Sequence, residues 1–153
     1  NCPGQVILSG TKNSVDFISQ KLKSLGARSI IELNVSAPFH CSLMKNATMI
    51  MRDALSEVVI QKPKIKFISN VNAKFVYNPE EIKKLLVEQV QSRVRWRESI
   101  GEASRLNLDF IIEIGPGRVL TGLNKRMKVD AEYFSISTLE DINNFLKNYG
   151  DDL

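Results

Sequence analysis

The stretch SAPFHCSLM, residues 36–44, holds the only histidine of a 153-residue chain. His40 follows an Ala-Pro-Phe step and precedes an apolar-periodic run, so it falls at a corner between an extended segment and a helix. Pro38 biases Ala37 toward extended backbone and thereby fixes the direction from which the imidazole approaches. An imidazole at such a corner suits general-base chemistry, because strand ends lie at the open edge of an α/β sheet where ligands bind. The plainer alternative is a histidine satisfied by local hydrogen bonds. A base also needs a nucleophile and an orienting group. No Gly-x-Ser-x-Gly elbow occurs in the sequence, and Ser36, Cys41 and Ser42 lie too close to His40 for in-line attack and read as helix caps. These residues do not assemble a complete triad. A second candidate is EIGPGRVLTGL, residues 113–123. Free amides after its Gly-Pro-Gly favour an anion such as phosphate, yet the stretch has neither a P-loop lysine nor Gly-x-Gly-x-x-Gly spacing. It reads first as a tight strand-to-helix connection that needs glycine.

The elements that position these residues follow from periodicity. QVILSG (5–10) and ARSIIELNVS (27–36) read as strands around an amphipathic helix in 11–25, whose Val15, Ile18, Leu22 and Leu25 are spaced by three and four. A long helix follows from Ser42, with Leu43, Ala47, Ile50, Met51, Ala54, Leu55 and Val58 on one stripe. The methionines there serve as core filler. KIKFISNV (64–71) reads as a strand. Pro79, with Glu80 and Glu81 in the first turn, opens a helix to about residue 91. Helix 96–107, strand 108–115, helix 118–128, strand 132–137 and a capped helix 138–150 complete the order. Strands alternating with helices give an α/β class with a largely parallel sheet in the second part. The leading β-α-β unit cannot bury both of its faces alone, so a division falls near residues 36–40.

Composition excludes several classes. The chain is ordinary in apolar and charged content and long enough to carry a core. Two cysteines and one histidine cannot fill a usual zinc site or a disulfide framework, which implies no metal and a reducing, cytoplasmic setting. No apolar run approaches the roughly 20 residues needed to span a bilayer. The net charge of +4 is spread, apart from RVRWR (93–97) and NKRMK (124–128), and favours an acidic or phosphorylated partner. The first residue is Asn, and NCPGQVILSG begins as the later part of a longer polypeptide does.

Five segments, taken in order, resemble the later half of the malonyl-CoA:acyl carrier protein transacylase family. They are NCPGQVILSG, LNVSAPFHCSLM, FISNVNAK, VRW and EIGPGRVLTGLNKR. The resemblance implies an α/β fold: residues 1–36 as the C-terminal part of a ferredoxin-like small subdomain, and 37–153 as the C-terminal part of an α/β-hydrolase-like acyltransferase domain. It implies transfer of malonyl from malonyl-CoA to the phosphopantetheine thiol of acyl carrier protein, in fatty acid biosynthesis, through a seryl ester. Coenzyme A then enters as a thioester substrate, with no cofactor. His40 corresponds to the family's general base. Gln89 supplies the main-chain carbonyl that orients it, which leaves the Gln89 side chain without a part in the chemistry. Phe39 corresponds to a step that accompanies malonyl over methylmalonyl selection, and Asn1 and Asn70 match asparagines near the acyl group. The family's nucleophilic serine, carboxylate-binding arginine and oxyanion-hole glutamine belong to upstream segments, so the missing N-terminal half of the same enzyme is an expected partner and the chain alone is expected to be inactive.

Two other classes stay open on the sequence. A non-catalytic carrier-binding or nucleic-acid-binding α/β module suits the positive charge, although an RNA binder needs exposed aromatic platforms, and Trp96, Phe67 and Phe110 all fall within helical or apolar patterns. Another thioester acyltransferase or hydrolase of similar architecture is the third.

Overall fold

The computed structural model describes residues 1–150. They form two compact units, one of residues 6–95 and one joining residues 1–5 to the segment from Trp96 onward. The expected boundary at residues 36–37 falls inside the first of these.

In the unit of residues 6–95, helix α1 (Lys12–Ser24) is capped by Thr11, whose hydroxyl accepts from the Ser14 amide at 3.3 Å. A 3₁₀ turn (Ser42–Met44) leads into α2 (Lys45–Ser56). A short hairpin pairs β1 (Phe67–Ser69) antiparallel with β2 (Lys74–Val76), and α3 spans Pro79–Gln89. The start of α3 is sequence-dictated. Asn78 Oδ1 accepts from the Glu80 and Glu81 amides at 2.9 and 3.1 Å, Pro79 occupies a first-turn position, and the two glutamates lie at the positive end of the helix dipole. Its apolar face buries Ile82 and Leu85 against Val76, with Ile60, Phe67 and Val71 packed around them. α2 packs on α3.

Two expected strands are absent. Residues 5–10 and 27–36 have no ladder partner among the described residues, and Val6, Ile7, Leu8, Ile31, Leu33 and Val35 stand exposed. Strand-forming composition does not make a strand without a neighbour to satisfy its amides. α2 also stops at Ser56, short of Val58, the last residue of the apolar stripe read from its sequence. β2 was not expected. It is three residues long and comes after a turn in which Ala73 takes φ +56° and its amide donates to Ser69 O at 2.8 Å.

In the other unit, α4 (Trp96–Ala103) and a 3₁₀ turn (Ser104–Leu106) precede β3 (Phe110–Ile114), α5 (Val119–Met127), β4 (Glu132–Ile136) and α6 (Leu139–Tyr149). β3 and β4 pair in parallel, with Phe110 opposite Glu132 and Ile114 opposite Ile136, and α5 is the crossover between them. Phe110, Phe134, Phe145 and Tyr149 form one aromatic cluster with ring centroids 4.9 to 6.1 Å apart. The rings pack mostly edge-to-face, with only Phe145 and Tyr149 stacked, and so are taken up by packing. Thr138 and Asp141 close a reciprocal capping box on α6. Trp96 Nε1–H donates at 2.9 Å to Oδ1 of Asn124, which is 1 % exposed and ties α4 to α5.

Candidate functional site

His40 sits in a tight corner. The Phe39 amide donates to Ala37 O at 2.9 Å, and the Cys41 thiol donates to Pro38 O at 3.2 Å. His40 itself takes φ +60°, in the left-handed region. A side chain with a Cβ gives up on the order of 1 kcal/mol there. The 3₁₀ turn and α2 begin immediately after.

The ring meets the far end of α3. His40 Nδ1 lies 3.0 Å from the main-chain oxygen of Gln89, forty-nine residues away. Gln89 is the last residue of α3, so its carbonyl is among those a helix leaves without an intrahelical donor. A carbonyl only accepts, so Nδ1–H donates to it and the neutral ring carries its free lone pair on Nε2. The same bond survives when Nε2 takes a proton. His40 is exposed, so Nε2 can be reached by a substrate or by a hydroxyl from another segment. An imidazole with a fixed tautomer and an open Nε2 can act as a general base.

The other residues singled out by sequence are spread over both units. Phe39 is exposed beside His40. Asn70 lies in the hairpin turn of the same unit, where its carbonyl accepts from the Arg95 amide at 3.0 Å while Arg95 Nη1 donates to Asn72 O at 3.4 Å. Asn1 belongs to the other unit. Sequence reasoning missed two features. The Gln89 side chain is engaged, its Nε2 donating to Ser92 O at 3.1 Å. Glu113 is the other.

Glu113 answers the question of the Gly-Pro-Gly segment. Its Oε1 accepts from the Leu120 amide at 3.0 Å and its Oε2 from the Thr121 amide at 2.7 Å. The first-turn donors of α5 that an anion would use are thus held by the chain's own carboxylate. Gly115 and Gly117, at φ +134° and +92°, supply the backbone that only glycine adopts freely, and Ser137 Oγ donates to Gly115 O at 2.6 Å. The segment is a connection clamped at both ends. Burial pushes the Glu113 carboxyl up, but the hydrogen bonds from Thr121, Leu120 and Val119 together outweigh it and hold it below the ordinary carboxylate range. Because the folded value is the lower one, the clamp stabilises fully above the unfolded value near ~4.3 and is lost as pH falls through the folded value. Glu113→Gln, which keeps one acceptor oxygen, is expected to cost about 1–2 kcal/mol at pH 7, read by denaturant melts. The gap to the unmutated protein should close as pH falls below the carboxylate range; a gap independent of pH would contradict the clamp.

No family model matches the chain. Comparison with individual proteins gives a different result. The malonyl CoA-acyl carrier protein transacylase of Staphylococcus aureus strain COL is 39 % identical over 148 residues, which is 97 % of this chain and 48 % of that protein. The chain belongs to the malonyl-CoA:acyl carrier protein transacylase family. It spans about half the length of the curated relatives it matches, which fits a C-terminal half. Solved transacylase structures agree. The acyl-carrier-protein S-malonyltransferase of Bartonella henselae superposes with a TM-score of 0.83 at 38 % identity, covering 92 % of this chain and 45 % of that one. A malonyl-transacylase captured in complex with its type II polyketide acyl-carrier protein gives 0.84 at 32 % identity, covering 91 % and 45 %. The mixed α/β architecture is therefore that of half a transacylase. Among the described residues no helix is long and apolar enough to cross a membrane.

Proposed function

We propose that the protein supplies the general-base half of a malonyl transferase, moving malonyl from malonyl-CoA to the phosphopantetheine thiol of acyl carrier protein in fatty acid biosynthesis. The observation that carries this is the bond from His40 Nδ1–H to Gln89 O, which leaves Nε2 as the basic atom. A serine from the segment upstream gives its Oγ–H proton to Nε2 as Oγ attacks the thioester carbonyl. The proton then passes to the departing coenzyme A sulfur, and a seryl ester remains. The carrier thiol reverses the sequence, its proton going to Nε2 as its sulfur attacks the ester. Coenzyme A is substrate and product throughout, and the residues call for no cofactor.

Phe39, exposed beside the base, is the specificity element of this reading. Its ring collides with a methyl branch on the acyl group, a discrimination worth ~1–3 kcal/mol. Asn70 and Asn1 are assigned to the neighbourhood of the acyl group by resemblance. By the same resemblance, residues 1–36 complete a ferredoxin-like subdomain and 37–153 a hydrolase-like one, and the enzyme works in the cytoplasm. The relatives are about twice as long as this chain, which supports a further half; by the same resemblance that half lies upstream and brings the serine, the arginine and the oxyanion-hole glutamine.

The test joins the chain to that upstream half and supplies radiolabelled malonyl-CoA with carrier protein bearing its pantetheine arm. Label is expected on the carrier. Release of the label as free malonate at the same rate with or without carrier would favour a hydrolase instead.

A further inference from the structure

We infer that the Gln89 side chain is a positioning residue: by holding the Ser92 carbonyl it fixes the turn from which the Gln89 main-chain oxygen selects the His40 tautomer. The inference rests on the reading of His40 as base, and it departs from the expectation that this side chain takes no part.

At the end of α3, a terminal carbonyl has no donor from its own helix, so its direction depends on how the next few residues are held. After Gln89 the chain is tied by the Ser92 amide, which donates to Glu88 O at 2.9 Å, and by the Gln91 amide, which donates to the same oxygen at 3.3 Å. Gln89 Nε2 adds a third tie, to Ser92 O at 3.1 Å. The Ser92 residue is thus held through both its N–H and its C=O, and the intervening peptides cannot swing without breaking one of these bonds. The Gln89 carbonyl projects from that closed turn to His40 Nδ1 at 3.0 Å.

The other end of the amide points the same way. Gln89 Oε1 is buried and meets no donor among the described residues. Flipping the amide would not help, since it would set Oε1 against the Ser92 oxygen, where only a donor is tolerated. A buried acceptor left unmet is costly and calls for an explanation. The amide is thus oriented by its bond to Ser92 O. The imidazole alone favours the Nε2–H tautomer, which presents a proton where the base needs a lone pair. The carbonyl reverses that preference only while it points at Nδ1.

The test is nitrogen NMR of histidine-labelled full-length protein, with the His40 signals assigned by their loss in His40→Gln. The Nδ1–H form is expected in the unmutated protein. Gln89→Met preserves bulk without the donor, and Gln89→Glu sets a carboxylate against Ser92 O; both should raise the Nε2–H form. Both should also lower kcat about tenfold, the weight of one hydrogen bond, with KM unchanged within about twofold. A tautomer shift without a fall in kcat would leave the inference standing and count against His40 as the base. An unshifted tautomer in folded Gln89→Met would overturn it.

Discussion

His40→Ala in the full-length protein is expected to slow malonyl transfer by on the order of 100-fold or more while leaving the fold in place. The size follows from the role. Without Nε2 the serine must lose its proton to water, and the leaving sulfur must find one there. The fold should persist because the imidazole is exposed and its described bond, to Gln89 O, is a single neutral hydrogen bond worth about 1 kcal/mol. Alanine carries a Cβ at φ +60° as histidine does, a difference in strain that is small beside the stability of the fold, so the corner is expected to keep its shape. The measurement is initial transfer rate to carrier protein beside a thermal melt. Near-normal turnover with an unchanged melt would remove His40 from the mechanism and return it to the plain class of locally satisfied histidines.

The second large effect concerns the 153-residue chain by itself. Ile114, at the carboxyl end of β3, is 82 % exposed, Leu139 at the start of α6 is 79 % exposed, and Val59 is 88 % exposed. The runs 5–10 and 27–36, which join no sheet among the described residues, add exposed apolar side chains such as Val6, Ile31 and Val35 on the same chain. A two-stranded parallel sheet ordinarily has both faces and both edges covered. Such surfaces associate in water. Light scattering of the isolated chain should therefore report dimers or larger species at micromolar concentration, and co-expression with the upstream half should return a single defined species. A stable monomer that binds malonyl-CoA unaided would mean that these surfaces are not the seat of another half.

What the sequence made legible was whatever local chemistry decides. Pro79 with Glu80 and Glu81, and Thr138 with Asp141, marked two helix starts that the structure carries, the Asn78 cap on the first being added by the structure, and Gly115 and Gly117 marked the strand-to-helix turn. The parallel pair β3–β4 and its crossover α5 followed from alternation alone. Failures came where a partner decides. Residues 5–10 and 27–36 have strand composition without a described neighbour to pair with, and β2 is too short at three residues to show a period. In the site, nothing local links His40 to a carbonyl forty-nine residues on; only the family resemblance joined them. The Gln89 amide and the Glu113 clamp were illegible for the same reason, since each depends on a side chain reaching a backbone group placed by the fold.

In the proposed reaction this chain carries the base and another segment carries the nucleophile. Incubating the isolated chain with radiolabelled malonyl-CoA and separating it on a denaturing gel tests that division of labour. No label is expected on the 153-residue chain alone, and a stable label is expected once the upstream half is joined. A label that survives denaturation on the isolated chain would place the nucleophile within it and contradict the division.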